Sequence, residues 1–293
     1  MFFYKAFGLN IECDIELKKL IAVEKLQPDV LFFNTSSKSI IDNPSIIRKN
    51  FQANNYSFAY KIADSHFYFN ALTKKLTFCF TNKQQFEQYL YGPVVALIAA
   101  YLKKIPLHAA GLIVNDKVIL LAGNSGSGKS TFLYHLLQNY QARFFSDDIV
   151  VIQKKEKSVY AYPAFPEIKL WLDAIERFNA TKIKPVHPDI QKYFVDVKKF
   201  FITKEQLPQV IFIIQTTLNS QLKIEKVTGV NKYLHLSKNV YRKNIIEYLF
   251  KQSLFEQLTS LANQTQVYII SRPVVVSTEK WNAFVDNCLK QIL

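Results

Sequence analysis

The stretch that decides the fold is Gly123–Asn–Ser–Gly–Ser–Gly–Lys–Ser–Thr131, in which a glycine, four residues and then Gly–Lys–Ser follow in order. Glycines allow consecutive backbone N–H groups to curl around a phosphate oxygen, because no Cβ atoms collide. A helix that follows directs its N-terminal dipole at the same charge. Lys129 can reach the β- and γ-phosphates of a nucleotide, and the Ser130 hydroxyl can ligate Mg²⁺. The predicted nucleotide-binding residues are Gly123, Asn124, Ser125, Gly126, Ser127, Gly128, Lys129, Ser130 and Thr131.

The flanks of this loop decide its interpretation, because the bare pattern also arises by chance in unrelated proteins. Val118–Ala122 is an apolar run that predicts a buried strand before the loop, and Thr131–Leu137 predicts a helix after it. Upstream, the apolar runs Leu107–Val114 and Lys117–Ala122 are joined by Asn115–Asp116, a favourable hairpin turn. We therefore predict a strand–loop–helix unit of the α/β class, in which the loop binds a nucleoside triphosphate.

Two adjacent carboxylates, Asp147 and Asp148, follow the loop at a short distance. Asp147 lies eighteen residues after Lys129, in an apolar stretch that predicts one strand from Arg143 into Ile152. In a parallel sheet this strand and the strand before the loop would end at the same edge, where ligands bind. An Asp–Asp pair can simply cap a turn, but two carboxylates inside an apolar strand are costly without a partner such as Mg²⁺. Neighbouring strand residues point to opposite faces, so one is expected to face the metal and the other the acceptor hydroxyl.

His108 lies in an apolar stretch just before the strand of the loop. A lone histidine in such a stretch is more often a core residue with satisfied hydrogen bonds than a catalytic one. The residues alone leave both interpretations open.

The chain divides into two predicted parts at a change of pattern near residue 84. Residues 1–84 alternate short apolar runs with polar turns, which predicts a small β-rich N-terminal unit. Residues 85–293 are predicted to form the nucleotide-binding core with C-terminal helices. This core is expected to open with a helix from Gln84 that Pro106 stops, with Gly92–Pro93 as either an interruption or a late start. Later strands are predicted at Val159–Tyr162, Gln209–Gln215 and Gln266–Ile270, and helices at Lys169–Phe178, Tyr241–Leu261 and Thr278–Ile292.

Composition restricts the classes of protein to be considered. The formal charge is +14, but Lys and Arg are scattered in ones and twos, which argues against a basic nucleic-acid-binding arm or a polybasic membrane patch. The three cysteines, Cys13, Cys79 and Cys288, are far apart and fit reduced thiols better than a disulfide framework. The N-terminus lacks the pattern of a secretory signal, and the longest apolar run, Val94 to Leu102, is too short to span a membrane. We expect a cytoplasmic protein that binds neither membrane nor nucleic acid.

These motifs together resemble a group of P-loop kinases. His108–Ala–Ala–Gly111, the Gly-rich loop and Ser146–Asp–Asp148 occur in the order found in the HPr serine kinase/phosphorylase family, whose core is related to that of ATP-dependent phosphoenolpyruvate carboxykinase. The resemblance implies an α/β P-loop kinase core that uses ATP and Mg²⁺. It implies Mg²⁺ near Ser130 and Asp148, a catalytic base at Asp147, and His108 beside the phosphates with catalytic Lys129. The two aspartates could also exchange these roles.

The chain is also similar to HPr-kinase-like enzymes of ribosomal peptide biosynthesis, including kinases of lasso-peptide precursors. The stretches that carry this similarity are Tyr4–Leu9, Gly92–Ala109, and Tyr162–Pro166 leading to Lys169–Leu–Trp171. The similarity spans residues 1–175 and implies a serine-containing peptide or protein as acceptor.

Departures from the family pattern concern the acceptor and the reverse reaction. Thr131 stands where HPr kinases commonly carry an acidic residue, and Lys169 stands where relatives can show Arg. The later Gly-Arg signature associated with HPr recognition and phosphorolysis is missing, so neither HPr as substrate nor phosphorolysis is carried over. Arg242 and Arg272 are late candidates for contacting the transferred phosphoryl group. A homo-oligomer is possible, but no residue pattern supports the hexamer of HPr kinases.

The resulting hypothesis is an ATP- and Mg²⁺-dependent kinase that phosphorylates a serine hydroxyl. A kinase of a small molecule such as free serine is the alternative within enzymes. A nucleotide-gated regulatory protein is the alternative from another class, although such a sensor needs no second acid.

Overall fold

The structure of the protein is a computed structural model that describes residues 1–36, 40–187 and 189–292. The first eight strands are β1 (Phe2–Ala6), β2 (Leu9–Cys13), β3 (Val30–Asn34), β4 (Ile46–Arg48), β5 (Phe51–Ala53), β6 (Ser57–Ile62), β7 (Ser65–Asn70) and β8 (Lys75–Cys79). They form one sheet in the order β1-β2-β3-β8-β7-β6-β5-β4. Buried and less buried residues alternate along β2 and β7, because successive side chains of a strand point to opposite faces. The predicted β-rich character of this region is confirmed.

The helical region after this sheet packs into the same hydrophobic core. The helices of the chain are α1 (Lys83–Tyr89), α2 (Val95–Tyr101), α3 (Lys129–Asn139), α4 (Leu172–Phe178), α5 (Val230–Lys238), α6 (Lys243–Gln264) and α7 (Thr278–Ile292). A π-helical turn, Leu90–Val94, joins α1 to α2. Gly92 has non-helical angles within it, because the ring of Pro93 disfavours helical angles in the residue before it. Phe86 of α1 stacks on Phe67 and on Phe80.

The end of this helical region differs from the prediction. Helix α2 ends at Tyr101, Lys103 takes a left-handed φ of 58°, and Pro106 lies inside the next strand rather than at a helix end. The boundary at residues 84 and 85 stays a prediction, since α1 and α2 share a core with the N-terminal sheet. Within the described ranges, no helix is long and apolar enough to cross a membrane.

A six-stranded sheet forms the centre of the remaining chain. The remaining strands are β9 (Ile105–Leu107), β10 (Ala109–Val114), β11 (Lys117–Gly123), β12 (Arg143–Ser146), β13 (Val150–Lys155), β14 (Ser158–Tyr162), β15 (Glu167–Trp171), β16 (Lys182–His187), β17 (Ile190–Asp196), β18 (Val210–Thr217), β19 (Lys223–Val227) and β20 (Gln266–Pro273). The order of the central sheet is β12-β10-β11-β18-β20-β19. Strands β11, β18 and β20 are parallel, and β12 runs in the same direction because both it and β11 are antiparallel to β10. The carboxyl ends of these four strands therefore lie at one edge.

Helices cover both faces of this central sheet. Leu121 of β11 contributes to a core with Phe132 of α3 and Trp281 of α7. Its neighbour Leu120 contributes to a second core with Leu258 of α6, because adjacent strand residues face opposite sides. The result is a mixed α/β fold with helices on either side of a largely parallel sheet, as the alternation of strands and helices predicts.

The hairpin before the loop is confirmed by the structure. Strands β10 and β11 pair antiparallel in six residue pairs from Ala109 and Ala122 to Val114 and Lys117. Asn115 and Asp116 both have positive φ, 48° and 60°, which is the pattern of a type I′ turn. The predicted strand, loop and helix order around residues 117–139 is confirmed as well.

Two predicted elements are wrong in the same way, because the structure has two separate elements where the sequence predicts one. The single strand from Arg143 into Ile152 is two strands, β12 and β13, which belong to different sheets. The helix predicted at Lys169–Phe178 begins only at Leu172, and Glu167–Trp171 is a strand. Both errors bear on the candidate site, since Asp147, Asp148 and Lys169 lie at these positions.

Candidate functional site

The Gly-rich loop connects β11 to α3 with a backbone that requires glycine. Gly123, Gly126 and Gly128 all have positive φ, of 138°, 82° and 103°. Gly128 is the residue before the first turn of α3, so the N–H groups of that turn point towards the loop. Ser127 Oγ is buried and has no hydrogen-bond partner among the described residues.

Lys129 is buried with its ammonium group held by the loop. Its Nζ donates to the carbonyl oxygens of Gly123, at 2.7 Å, and of Asn124, at 2.9 Å. Burial lowers the pKa of Lys129 to about 8, although attraction to Asp147 and Asp148 acts in the opposite direction. The cation is thus positioned at the loop before a ligand arrives, and it is close to losing its proton at slightly alkaline pH.

The lowered pKa of Lys129 leads to a prediction about nucleotide affinity. The protonated form, present below pH 8, attracts a triphosphate, so we expect ATP affinity to be constant up to about pH 8. Above that value it should fall by up to about tenfold per pH unit, because the proton must then be taken up on binding. Titration calorimetry between about pH 6.5 and 9.5 in buffers of different ionisation enthalpy would measure both the affinity and the proton uptake.

Lys129→Met is the matched control for this prediction. It should bind ATP more weakly at every pH and should show neither the alkaline fall nor the proton uptake. Equal pH dependence in the wild type and in Lys129→Met would contradict the assignment of the titration to this residue.

Asp147 and Asp148 lie in a turn that leaves the central sheet. Strand β12 ends at Ser146, whose Oγ donates to the carbonyl oxygen of Ile149 at 2.5 Å. Asp148 has a left-handed φ of 70°. Aspartate tolerates this conformation better than most residues. We expected the two carboxylates to point to opposite faces of one strand. This expectation is wrong, because the two aspartates lie in a turn, and the turn decides the directions of their side chains.

Asp147 faces the loop. Its Oδ1 accepts a hydrogen bond from Ser130 Oγ at 3.2 Å, and Oδ2 lies 3.4 Å from the same hydroxyl. The backbone N–H of Lys169 donates to Oδ2 at 3.0 Å. This carboxylate is nearly buried, so these two contacts fix its position beside the first turn of α3.

Asp148 faces a different pair of residues. Its Oδ2 accepts a hydrogen bond from Lys169 Nζ at 2.7 Å, and its Oδ1 lies 3.4 Å from His108 Nε2. Burial alone would raise the pKa of Asp148, but attraction to Lys169 and the contact with His108 outweigh it and hold the pKa well below its usual value. The pKa of Lys169 is raised, since attraction to Asp148 outweighs the effect of burial. The carboxylate is ionised throughout the neutral range and remains one-third exposed to the cleft.

His108 is held between strands β9 and β10. Its backbone N–H donates to the carbonyl oxygen of Asn239 at 2.7 Å, and its ring meets the Tyr241 ring edge-on at 6.1 Å. The side chain is partly exposed and reaches Asp148, so the geometry differs from that of a core histidine enclosed by apolar side chains. Its catalytic role stays a prediction.

The loop, the two aspartates and the surrounding cations line one open cleft. Five cationic side chains and three carboxylates line it, which leaves an excess of positive charge suited to a polyanion. A Cβ atom added to Gly128 would lie 3.7 Å from the Arg272 side chain, so this arginine is next to the loop. The charged lining residues are Lys129, Lys169, Arg177, Lys192, Arg272, Asp147, Asp148 and Asp173.

The two arginines that were candidates for contacting the transferred phosphoryl group lie in different places. Arg272, at the carboxyl end of β20, lines the cleft, whereas Arg242 hydrogen-bonds to Tyr60 of the N-terminal sheet at 3.2 Å. Sequence reasoning missed Arg177 and Lys192. These residues come from a helix and a small sheet without any recognisable motif, so the sequence offered no signal for them.

The chain has similarity to known proteins at the level of solved structures. No family model matches the chain, and no curated protein matches it. Among solved structures, the chain is similar to the Hpr(Ser) kinase/phosphatase from Coxiella burnetii, with 12% identity and a TM-score of 0.32 over 64% of this chain and 97% of that one.

Proposed function

We propose that this protein is an ATP- and Mg²⁺-dependent kinase that transfers the γ-phosphoryl group to a serine hydroxyl. The acceptor we propose is a peptide or protein, such as the precursor of a ribosomally made peptide. One observation carries the proposal: two adjacent carboxylates of the cleft have separate partners, Asp147 with Ser130 and Asp148 with Lys169. A protein that only senses nucleotide needs the first of these carboxylates but not the second.

The triphosphate would bind along the Gly-rich loop. The first-turn N–H groups of α3 are hydrogen-bond donors for phosphate oxygens. Lys129 and Arg272 lie beside the loop and would balance charge on the outer phosphates. The first-turn N–H groups are positioned by α3 itself, so they would need little reorganisation when a phosphate binds.

Mg²⁺ fits the oxygen atoms that Ser130 and Asp147 present. Magnesium is commonly held by one or two protein oxygens and completes its octahedron with phosphates and water. Ser130 Oγ and both oxygens of Asp147 lie together, and the Lys169 N–H orients the carboxylate. Among the described residues, no group of three or more His, Cys, Asp or Glu side chains could hold a metal ion. When bound, the metal would neutralise charge that develops on the phosphates.

This geometry favours one of the two assignments of the aspartates. Ser130 contacts Asp147, so we propose Asp147 as the metal ligand and Asp148 as the residue that receives the acceptor proton. In the proposed step, the serine oxygen forms a bond to the γ-phosphorus, the bond from that phosphorus to the bridging oxygen breaks, and ADP leaves. The serine proton passes to Asp148.

The low pKa of Asp148 defines how it would act. A carboxylate held ionised by Lys169 and His108 is a weak base, so it would chiefly orient the serine hydroxyl and accept the proton late. That behaviour suits phosphoryl transfer, whose transition state depends on positioning and on charge stabilisation more than on early proton removal. Lys169 contacts both carboxylates, Asp147 through its backbone N–H and Asp148 through its Nζ. It would therefore hold the two carboxylates in fixed positions relative to each other.

The test is transfer of phosphate to an acceptor. The purified protein would be incubated with ATP, Mg²⁺ and serine-containing peptides, and the peptide mass followed for the gain of one phosphate. We expect transfer to serine peptides, no transfer to peptides with alanine in place of serine, and a loss of about 100-fold or more in Lys129→Ala.

The other outcomes identify the alternatives. Phosphate that appears on free serine but on no peptide would establish a small-molecule kinase. Tight ATP binding without transfer to any acceptor would contradict the proposal and favour the nucleotide-gated regulatory protein.

A further inference from the structure

A second cavity, lined in part by the N-terminal sheet, is rich in positive charge. It is an open cavity between the turn that joins β4 to β5 and the first turn of α6, and we call it the hairpin cavity. Three of its lining residues are cationic, and among the described lining residues none is acidic. The lining residues are Arg48, Lys49, Asn50, Phe51, Tyr60, Leu97, Arg242 and Ile245.

The cations of the hairpin cavity are not neutralised within the protein. Arg48, Lys49 and Arg242 are exposed, and none of them forms an ion pair with a carboxylate of the described ranges. Arg242 is held in place by a hydrogen bond to Tyr60 OH at 3.2 Å, and its guanidinium lies 5.8 Å from the centre of the Tyr60 ring. Lys61 adds another positive charge in a neighbouring cavity that shares Arg48, Lys49 and Tyr60. Like charges gathered in this way repel one another, so an anionic partner would stabilise them.

This cavity is connected to the catalytic residues by a short series of contacts. Asp148 contacts His108, and the His108 ring meets Tyr241. Tyr241 precedes Arg242, whose guanidinium lies 5.9 Å from the centre of the Tyr241 ring. An extended chain that reaches Asp148 with one residue would therefore be able to place its flanking residues at the hairpin cavity.

The geometry points to the hairpin cavity as a docking site for an acidic segment next to the acceptor serine. This inference rests on the proposed kinase function and specifies the class of its substrate. Carboxylates of the segment would pair with Arg48, Lys49 and Arg242, and the apolar lining of Leu97 and Ile245 would accommodate its aliphatic side chains.

The strand beside the cavity favours a peptide as the occupant over a nucleic acid. β4 is the last strand in the order of the N-terminal sheet, so its outer edge has no neighbouring strand among those described. An extended peptide can add to such an edge through backbone hydrogen bonds. Ile47 of this strand is 70% exposed, which offers apolar contact to a peptide side chain.

Direct binding of two matched peptides to the whole chain tests this inference. One fluorescent peptide carries a serine followed by five glutamates, and the other has glutamine in place of each glutamate. Without nucleotide, we expect fluorescence anisotropy to show at least about tenfold tighter binding of the glutamate peptide, with the difference shrinking as salt rises from about 0.05 to 0.5 M.

Two double variants with the same change of charge assign the binding to this cavity. Arg48→Gln/Lys49→Gln should weaken binding of the glutamate peptide by about tenfold, because two unpaired cations are removed. Lys117→Gln/Lys226→Gln removes two exposed lysines of other strands and should leave the affinity within about twofold. ATP affinity, measured on all variants, should be unchanged and shows that each is folded.

The result separates this inference from the proposed function. Equal binding of the two peptides, or equal weakening by both double variants, would overturn the docking site even if serine phosphorylation is observed. Selective binding of the glutamate peptide without any phosphorylation would support the docking site and contradict the kinase. Binding of a ten-nucleotide single strand that requires Arg48 and Lys49, with no binding of the glutamate peptide, would overturn the inference in favour of nucleic acid.

Discussion

Replacement of Asp148 by asparagine is expected to lower the turnover of serine phosphorylation by about 1000-fold. Asparagine has the size of aspartate, but it has no charge to balance Lys169 and cannot accept the serine proton. Asp148 does not contact the loop, whose lysine is held by Gly123 and Asn124, so ATP should still bind with an affinity within a few-fold of that of the wild type. Single-turnover kinetics with saturating ATP would measure the phosphoryl transfer itself.

Asp147→Asn is the matched control, since it makes the same chemical change one residue earlier. We expect it to act through the metal, because Asp147 contacts Ser130 at the proposed magnesium position. The Mg²⁺ concentration for half-maximal activity should rise by about tenfold or more, and excess Mg²⁺ should restore part of the turnover. In Asp148→Asn the Mg²⁺ requirement should stay close to that of the wild type, and excess Mg²⁺ should restore nothing.

The reverse pattern would contradict the assignment of the two aspartates. If excess Mg²⁺ rescued Asp148→Asn but not Asp147→Asn, Asp148 would be the metal ligand, as the family resemblance implies. Thermal unfolding of both variants is needed for this comparison, because Asp148→Asn leaves the Lys169 ammonium without its carboxylate partner. A variant that still binds ATP normally is folded at the site, whatever its unfolding temperature.

The loop could be predicted from sequence because its signals are local. The apolar strand, the glycines, the lysine and the following helix are contiguous, and each has a direct physical role in binding phosphate. The hairpin before the loop could be predicted equally well, since Asn115–Asp116 favours the positive φ values that the turn requires. Such elements depend on neighbours in the chain rather than on distant contacts.

The directions of the two aspartates could not be predicted in the same way. The apolar residues on both sides of Asp147 and Asp148 suggest one continuous strand, but the chain turns at Asp148 with a left-handed φ. Aspartate is compatible with a strand end and with such a turn, so the residue type does not decide between them. The partners of the carboxylates, Ser130 and Lys169, follow from the turn and from the position of β15.

Long-range pairing accounts for much of what else was missed. The N-terminal sheet pairs β3 with both β2 and β8 in parallel, which brings together strands far apart in sequence. Short strands such as β4 and β5 have three residues each, too few for a period of two to be recognised. The hairpin cavity depends on these strands and on the first turn of α6, so no sequence pattern indicates it.

Gly123→Ala is expected to have the largest effect on folding and binding of any substitution in the loop. A Cβ at this position would lie 2.3 Å from the carbonyl oxygen of Ile214 on the paired strand β18, and φ is 138°, a value that alanine strongly disfavours. The clash is with backbone rather than with a flexible side chain, so the two central strands would have to separate. We expect a loss of about 3 kcal/mol or more in the free energy of unfolding.

Gly126→Ala, three residues further along the same loop, separates the clash from the backbone preference. Gly126 also has a positive φ, of 82°, but an added Cβ would have no atom within 4 Å. This variant should lose only about 1–2 kcal/mol, the cost of the left-handed conformation. It should still bind ATP with measurable affinity, whereas Gly123→Ala should show no ATP binding at millimolar nucleotide.

Urea unfolding and titration calorimetry on both variants measure these differences. Equal losses in the two variants would show that the close approach of β18 to Gly123 does not limit the loop, and normal ATP binding by Gly123→Ala would contradict the role of this loop as the phosphate site.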